Sequence, residues 1–345
     1  MNSKNVIAIA KLDDADEIMK FIDTEWRNGH IFGTNKSYFL YEYSNKDQLN
    51  FIISKNNNKI NGMLGFLRSS SDENASVWTT MWKVSKSSGS PMLGICLLNY
   101  LRDQGYKSVM SSGINQSTEE IYKYLGFSVG LLNQYFISNK NLEKYKIADI
   151  HKTIKDDIFK ISKISNLFFK KIEFRDLEGN FNFNKYIFRL PYKDSNYFNK
   201  RFFKHPIYSY DVYGVFDGPE LLSILVTRTV EHEKSTCMRI VDFYGQEDTL
   251  NIFTWHLSKI MNLKGHEYID IYSAGLNEEI ILNAGFEKLD VTSGDVVIPN
   301  YFEPFVQSNI GIRYFTDANN LANLRIYKAD GDQDRPSLLN VEDFS

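Results

Sequence analysis

Two distant stretches of this chain read alike. Residues 107–127, KSVMSSGINQSTEEIYKYLGF, and residues 267–286, EYIDIYSAGLNEEIILNAGF, share one order. Each runs from a short apolar strand through Gly-apolar-Asn and a short helix to Gly-Phe. Such a repeat restricts the chain to architectures that can be built twice. At 345 residues it also exceeds what one hydrophobic core usually serves. Two similarly folded halves are therefore expected. They are not equal in chemistry: the first copy places Tyr122 four residues before its Gly-Phe, where the second has Ile281.

The flanking pattern supports the duplication. Val6–Lys11 alternates like a strand, and Asp14 is expected to cap a helix over Ala15–Trp26. After an aromatic stretch, Tyr38–Tyr43, the segments Leu49–Ser54 and Lys59–Leu67 form a hairpin across NNNK, and Val77–Val84 is a further strand. The helix Met92–Arg102 is expected to start at Ser90 and Pro91. Strand Lys107–Ser111, helix Thr118–Leu125 and strand Phe127–Ile137 close the first half. Tyr208–Phe216 and Leu221–Thr229, strand Met238–Tyr244, helix Thr249–Met261, strand Tyr268–Ser273, helix Glu278–Ala284 and a strand region at Val296–Pro299 repeat that order. The expected division is 1–140, a linking segment 141–200, 201–305, and a hydrophilic tail 306–345, whose Arg325, Asp330, Asp332, Asp334 and Arg335 are solvated, fold over a bound ligand or brace the two halves.

Charge bounds the partners. Forty basic and 43 acidic residues are interspersed, for a net −3. That balance argues against nucleic acid, which selects a basic face. No segment approaches the ~20 apolar residues of a membrane span, and the apolar run at the N-terminus is too short for a signal-peptide core. A soluble, cytoplasmic protein is expected, with room for a homodimer. Cys96 and Cys237 have no metal-ligand or disulfide spacing and read as buried, inert thiols. The run DGDQDR lacks the spacing of a calcium loop, so no metal is expected.

One turn invites an anion. In VWTTMWKVSKSSGSPMLG a strand feeds small residues that open a helix. Unpaired N–H groups and the helix dipole favour a phosphate there, and Ser88, Gly89 and Ser90 would let it approach the main chain. Lys83 and Lys86 would add charge. The corresponding turn of the second half carries Glu247 and Asp248, which would repel it. Asn115 is either a helix-cap amide or a partner for a ligand's amide groups. Tyr122 is either a packing residue or a phenol that protonates a leaving group.

Together, the order of elements, the turn Lys86–Gly94 and the set Asn115, Tyr122, Gly126 and Phe127 resemble the GNAT superfamily of acyl-CoA-dependent N-acyltransferases. The turn departs from the family's compact Gly-x-Gly, and Pro91 intrudes. The resemblance covers roughly 1–140 and 200–300. It implies an α/β (α+β) fold of two GNAT-like domains, each a mixed, largely antiparallel sheet flanked by helices. Trp26-x-x-x-His30, KRFFKHPIYSYDVYGV, MRIVDFYG and KADGDQDRP further resemble tandem-GNAT proteins of bacterial O-antigen and capsule biosynthesis. That likeness implies transfer of an acetyl or 3-hydroxybutyryl group from acyl-CoA to the amine of a dTDP-linked amino-deoxy sugar.

By the same resemblance, Trp82, Lys83, Val84, Lys86, Ser88, Gly89, Ser90, Gly94 and Asn115 would hold the CoA thioester. A backbone N–H of Trp82–Val84 would polarise the carbonyl, and Tyr122 would protonate the thiolate. His30 is the first candidate for the base, with His205 second. Trp26, Arg201, Lys204, His205, Asp242 and Arg335 are the candidates for the acceptor site, Asp242 being expected to pair with Arg239 or Arg201 if it is merely buried. Two other readings compete: a catalytically degenerate scaffold, and an aminoacyl transferase of cell-wall type, which would want a basic surface for tRNA.

Overall fold

The computed structural model of the chain describes residues 5–151 and 167–337. In the first half the order is β1 (Val6–Lys11), α1 (Ala15–Phe21), α2 (Ile31–Thr34), α3 (Lys36–Tyr43), β2 (Gln48–Asn56), β3 (Lys59–Arg68), β4 (Val77–Val84), α4 (Leu93–Arg102), β5 (Val109–Ser112), α5 (Glu119–Tyr124) and β6 (Ser128–Ser138). The second half continues with β7 (Leu167–Lys171), β8 (Asp211–Asp217), β9 (Glu220–His232), β10 (Ser235–Gly245), α6 (Leu250–Lys264), β11 (Tyr268–Ala274) and α7 (Glu278–Asn283). Two strands follow, β12 (Ile312–Thr316) and β13 (Ile326–Tyr327).

Among the described residues one continuous sheet of fifteen strands spans both halves, its main path running β1-β2-β3-β4-β5-β12-β6-β11-β10-β9-β8-β7. Pairing along the path is antiparallel except at β4/β5 and β10/β11. β6 joins the halves: Ser128–Leu132 pair with β12, and Asn133–Ser138 pair with β11. The fold is thus mixed α/β, with a largely antiparallel sheet flanked by helices.

The repeat is a repeat of backbone shape. Gly113 and Gly275 have φ of +83° and +89°, and Gly126 and Gly285 have +85° and +92°. Side chains other than glycine rarely adopt such angles. Asn115 and Asn277 each cap the helix that follows, their side chains accepting from the N–H two residues on.

The parallel pairs are short and then diverge. β4 and β5 are in register only at Val77/Val109 and Trp78/Met110, after which β4 continues to Val84 away from β5. β10 and β11 pair from Met238/Ile269 to Ile240/Ile271. There the gap is filled by the chain itself: Ile326 and Tyr327 pair with Ala274 and Ser273, and the Ala329 N–H donates to the Val241 carbonyl.

Several local expectations differ. Tyr38–Tyr43 is helical, inside α3. The helix expected over 15–26 widens into a π turn at Ile22–Trp26, where the Arg27 N–H reaches the Ile22 carbonyl. Asp14 does not cap α1; it accepts from the Lys11 N–H and pairs with Lys55. α4 starts at Leu93 without a side-chain cap, because the Leu93 N–H closes a turn onto the Ser90 carbonyl, with Pro91 inside it. Val296 and Val297 pair with Ile150 and Asp149 in a separate two-stranded sheet. Cys96 is exposed on α4, whereas Cys237 is buried and its thiol is pushed up to about 12 by burial. The hydrophilic tail is buried from Leu324 to Asp330 apart from the half-buried Arg325. Residues 338–345 of that tail lie outside the described residues.

Candidate active site

Among the described residues no backbone pairs between β4 and β5 beyond Trp78/Met110, and this divergence is where a ligand can enter the sheet. β4 carries a bulge there: Leu64 faces Trp82 and Phe66 faces Thr79, so Gly65 stands opposite both Thr80 and Met81. Such a bulge re-aims backbone groups away from the ladder. Gly65 is what lets the strands close: a Cβ there would strike the Thr80 hydroxyl and the Phe51 ring.

On the face covered by α4 and α5, Trp82, Gly94 and Tyr122 come together. A Cβ at Gly94 would already touch the Trp82 indole. Trp82 and Tyr122 have ring centroids 6.2 Å apart. Tyr122 is nearly buried, packed on Phe315 at 4.4 Å and on Phe127 at 6.3 Å. Burial raises its phenol pKa, and a hydrogen bond with Thr118 partly offsets this. Asn115 spends its Oδ1 on the Ser117 N–H and hydroxyl. In the turn, Ser85 caps the Ser87 N–H and Gly89 takes a left-handed conformation. Lys83 is half-buried and Lys86 exposed. Ser87 and Ser88 face an open groove of about 680 Å³ that also holds Lys20, Lys59, Glu17 and Glu25.

On the opposite face, a cavity of about 330 Å³ lies between the halves. Met81 brings the bulge to its wall, and three of the sequence's candidates, Trp26, His30 and Arg335, line it. Gln333, also in the wall, donates from Nε2 to the Ser112 carbonyl at the end of β5. The cavity therefore borders both sides of the divergence. Its aromatic faces include Trp26, Tyr208, Tyr301 and Phe302. Three of its guanidinium groups are already paired: Arg228 with Asp334, Arg239 with Asp270, and Arg335 with Glu42. Arg27 and Lys328 have no carboxylate within ion-pair distance among the described residues.

His30 caps α2. Its Nδ1 accepts from the Phe32 N–H at 3.2 Å, and burial lowers its pKa to about 4. It is neutral at physiological pH with one nitrogen committed, and so weakly basic.

The remaining acceptor candidates lie elsewhere. Arg201 and Arg335 line a second cavity of about 360 Å³. Arg201 is buried, donating to Tyr210 at 2.7 Å and to the Asp334 carbonyl. Lys204 is exposed and offers its carbonyl to Tyr41. His205 holds a corner, its Nδ1 accepting from the Ile207 and Tyr208 N–H groups, with its pKa well below the ordinary imidazole value through burial. Asp242 is buried and pairs with Lys193 at 2.8 Å, not with Arg239 or Arg201. Glu247 does not stand as a free carboxylate; Arg189 and Arg325 reach it at 3.2 and 2.5 Å.

Sequence reasoning did not select Arg27, Tyr208, Arg228, Asn300, Tyr301 or Lys328. They come from five separate parts of the chain; Arg27, Tyr208 and Lys328 lie in stretches that had drawn attention, Trp26-x-x-x-His30, KRFFKHPIYSYDVYGV and KADGDQDRP, while Arg228, Asn300 and Tyr301 do not.

No family profile and no curated protein matches the sequence. Solved structures do. A GCN5-related N-acetyltransferase from Anabaena variabilis ATCC 29413 superposes with a TM-score of 0.57 at 8% identity, covering 93% of this chain and 74% of that one. A GCN5-related N-acetyltransferase from Kribbella flavida gives a TM-score of 0.53 at 8% identity, covering 92% of this chain and 72% of that one. No helix among the described residues is long and apolar enough to cross a membrane. The diverging parallel strands and these superpositions agree: the chain has the GCN5-related N-acetyltransferase fold.

Proposed function

We propose that the protein is an acyl-CoA-dependent N-acyltransferase whose acceptor amine is presented in the cavity between its halves. The observation that carries this is the position of that cavity. It opens on the bulge of β4 and, through Gln333, on the end of β5, across the divergence that in this half no described backbone pairs into.

On this reading acyl-CoA binds the first half, 1–140, along Trp82–Val84 and over the turn Lys86–Ser90 to Gly94, with Asn115 beside it. The 201–305 half has lost that role. A backbone N–H of the bulged strand polarises the thioester carbonyl, as preorganised donors do in acyl transfer. Holding amine and thioester together supplies much of the remaining rate. Tyr122 gives its proton to the departing thiolate.

The acceptor is a dTDP-linked amino-deoxy sugar, which places the protein in surface-polysaccharide synthesis. Its support is the lining: aromatic faces suited to a thymine, arginines suited to a diphosphate, and Glu303 and Asp332 suited to an amine. The donor acyl group is acetyl or 3-hydroxybutyryl.

The test mixes purified protein with a dTDP-amino-dideoxyhexose and either thioester, following free thiol and product mass. Sugar-dependent thiol release with an N-acylated sugar is expected. CoA binding without turnover would discard the sugar and keep acyl transfer. Neither binding nor turnover would overturn both.

A further inference from the structure

The cavity contains a lysine whose surroundings suit it to no structural role. Lys328 follows β13, is 2% exposed, and lines the cavity wall. A buried ammonium ordinarily keeps a carboxylate at hand, as Lys193 does with Asp242 and Asp330. Lys328 has none. Its hydrogen bond goes to a neutral acceptor, Asn300 Oδ1, and its Nζ lies over the Tyr272 ring, 5.2 Å from the centroid.

The groups around it come from every packed element: Arg239 on β10, Arg228 on β9, Asp270 on β11, and Asp334 on its own segment. Both carboxylates are spent, Asp270 on Arg239 and Asp334 on Arg228. Burial, followed by Arg239, drives the Lys328 pKa well below the ordinary lysine value. At the same wall, Asn300 Nδ2 and Gln333 Oε1 are buried without a partner, as in a site awaiting a polar ligand.

We propose that Lys328 is the proton acceptor that converts the acceptor's ammonium to the attacking amine. This rests on the acyl-transfer reading. The neutral Lys328 amine takes one proton from the acceptor ammonium. The freed amine forms the C–N bond, the C–S bond breaks with the Tyr122 proton passing to the thiolate, and the nitrogen's surplus proton restores the phenol. Lys328 then returns its proton to solvent. Compared with His30, its lone pair is better matched to an alkylammonium, because a base of pKa about 4 is too weak for that proton.

Two measurements test this. The first is competitive trace acetylation of the native protein across pH, read by peptide mass spectrometry, which titrates each lysine without any turnover. The second compares wild type with Lys328→Gln and Lys328→Arg for thiol release across pH, with CoA binding by calorimetry. We expect Lys328 to titrate well below the ordinary lysine range and wild-type kcat/KM to rise with pH through that same titration. In both variants that limb should vanish and kcat should fall about 10²–10⁴-fold, with CoA affinity kept. Arginine restores the charge but stays protonated, so it should not rescue.

An ordinary titration of Lys328, or an intact limb in the variants, overturns the assignment while leaving acyl transfer standing. Rescue by arginine overturns it in favour of an electrostatic role. A wild type that releases no thiol with any amine overturns acyl transfer itself, and Lys328 as base falls with it.

Discussion

Tyr122 and the histidines show how packing decides what a side chain can do. The phenol sits among Trp82, Phe127 and Phe315, which hold it on the sheet face covered by α4 and α5, and burial there raises its pKa and makes it a reluctant acid. If it protonates the thiolate, Tyr122→Phe should lower kcat about 100-fold or more while CoA affinity stays within about two-fold. Stopped-flow thiol release would read this, and unchanged kcat would leave Tyr122 a packing residue. His30 and His205 are both held neutral by burial, with folded pKa values below the unfolded value near 6.5. Between those values the unfolded state binds more protons, so stability present above pH 6.5 is lost as pH falls towards 4. For His30 the loss is about 3 kcal/mol. Thermal melts from pH 7 to pH 4.5 should show it, and His30→Gln, which cannot take up that proton, should have a shallower decline. Equal slopes for the two proteins would refute it.

At the level of elements, the glycine positions made the duplication legible. Gly113 and Gly275, and Gly126 and Gly285, mark left-handed turns that a sequence must write as glycine. Gly275 has a further burden: a Cβ there would strike the Leu324 carbonyl, which belongs to the segment filling the second divergence. Gly275→Ala should therefore cost more than Gly105→Ala, at +80° in open space, by about 2 kcal/mol; denaturant midpoints compare them, and equal losses would refute the contact. Hidden elements were those whose reason lies elsewhere in the chain. α3 buries Tyr38, Phe39, Glu42 and Tyr43 along one face, but Glu42 is charged and the apolar Leu40 and Tyr41 stand off that face, so the sequence shows no clean apolar stripe. β12 is five residues whose partners are some 180 to 200 positions upstream. The cavity was half legible: Trp26, His30 and Arg335 stood out as polar or aromatic residues in marked segments, while Arg228 lies inside a hairpin strand and Lys328 in the hydrophilic tail.

Across the whole molecule, the segment 326–335 ties everything together. Asp330 pairs with Lys193, Asp334 with Arg228 and Arg201, and Arg335 with Glu42 of the first half. Each carboxylate is buried, so removing one strands the opposing charge. Asp334→Asn should destabilise the protein by about 3–5 kcal/mol, lowering the melting temperature and loosening the cavity walls together. Loss of acceptor affinity without loss of CoA affinity is the expected signature, and calorimetry with each ligand separates them.

The placement of β12 also has a consequence for biosynthesis. Its strand lies between β5 and β6, so the first half's sheet lacks a member until Ile312–Thr316 have left the ribosome. A nascent chain of 140 or even 305 residues exposes edges that the finished protein pairs, and exposed edges recruit other chains. The edges of β5 and β6 must wait, unpaired, for a segment synthesised long after them.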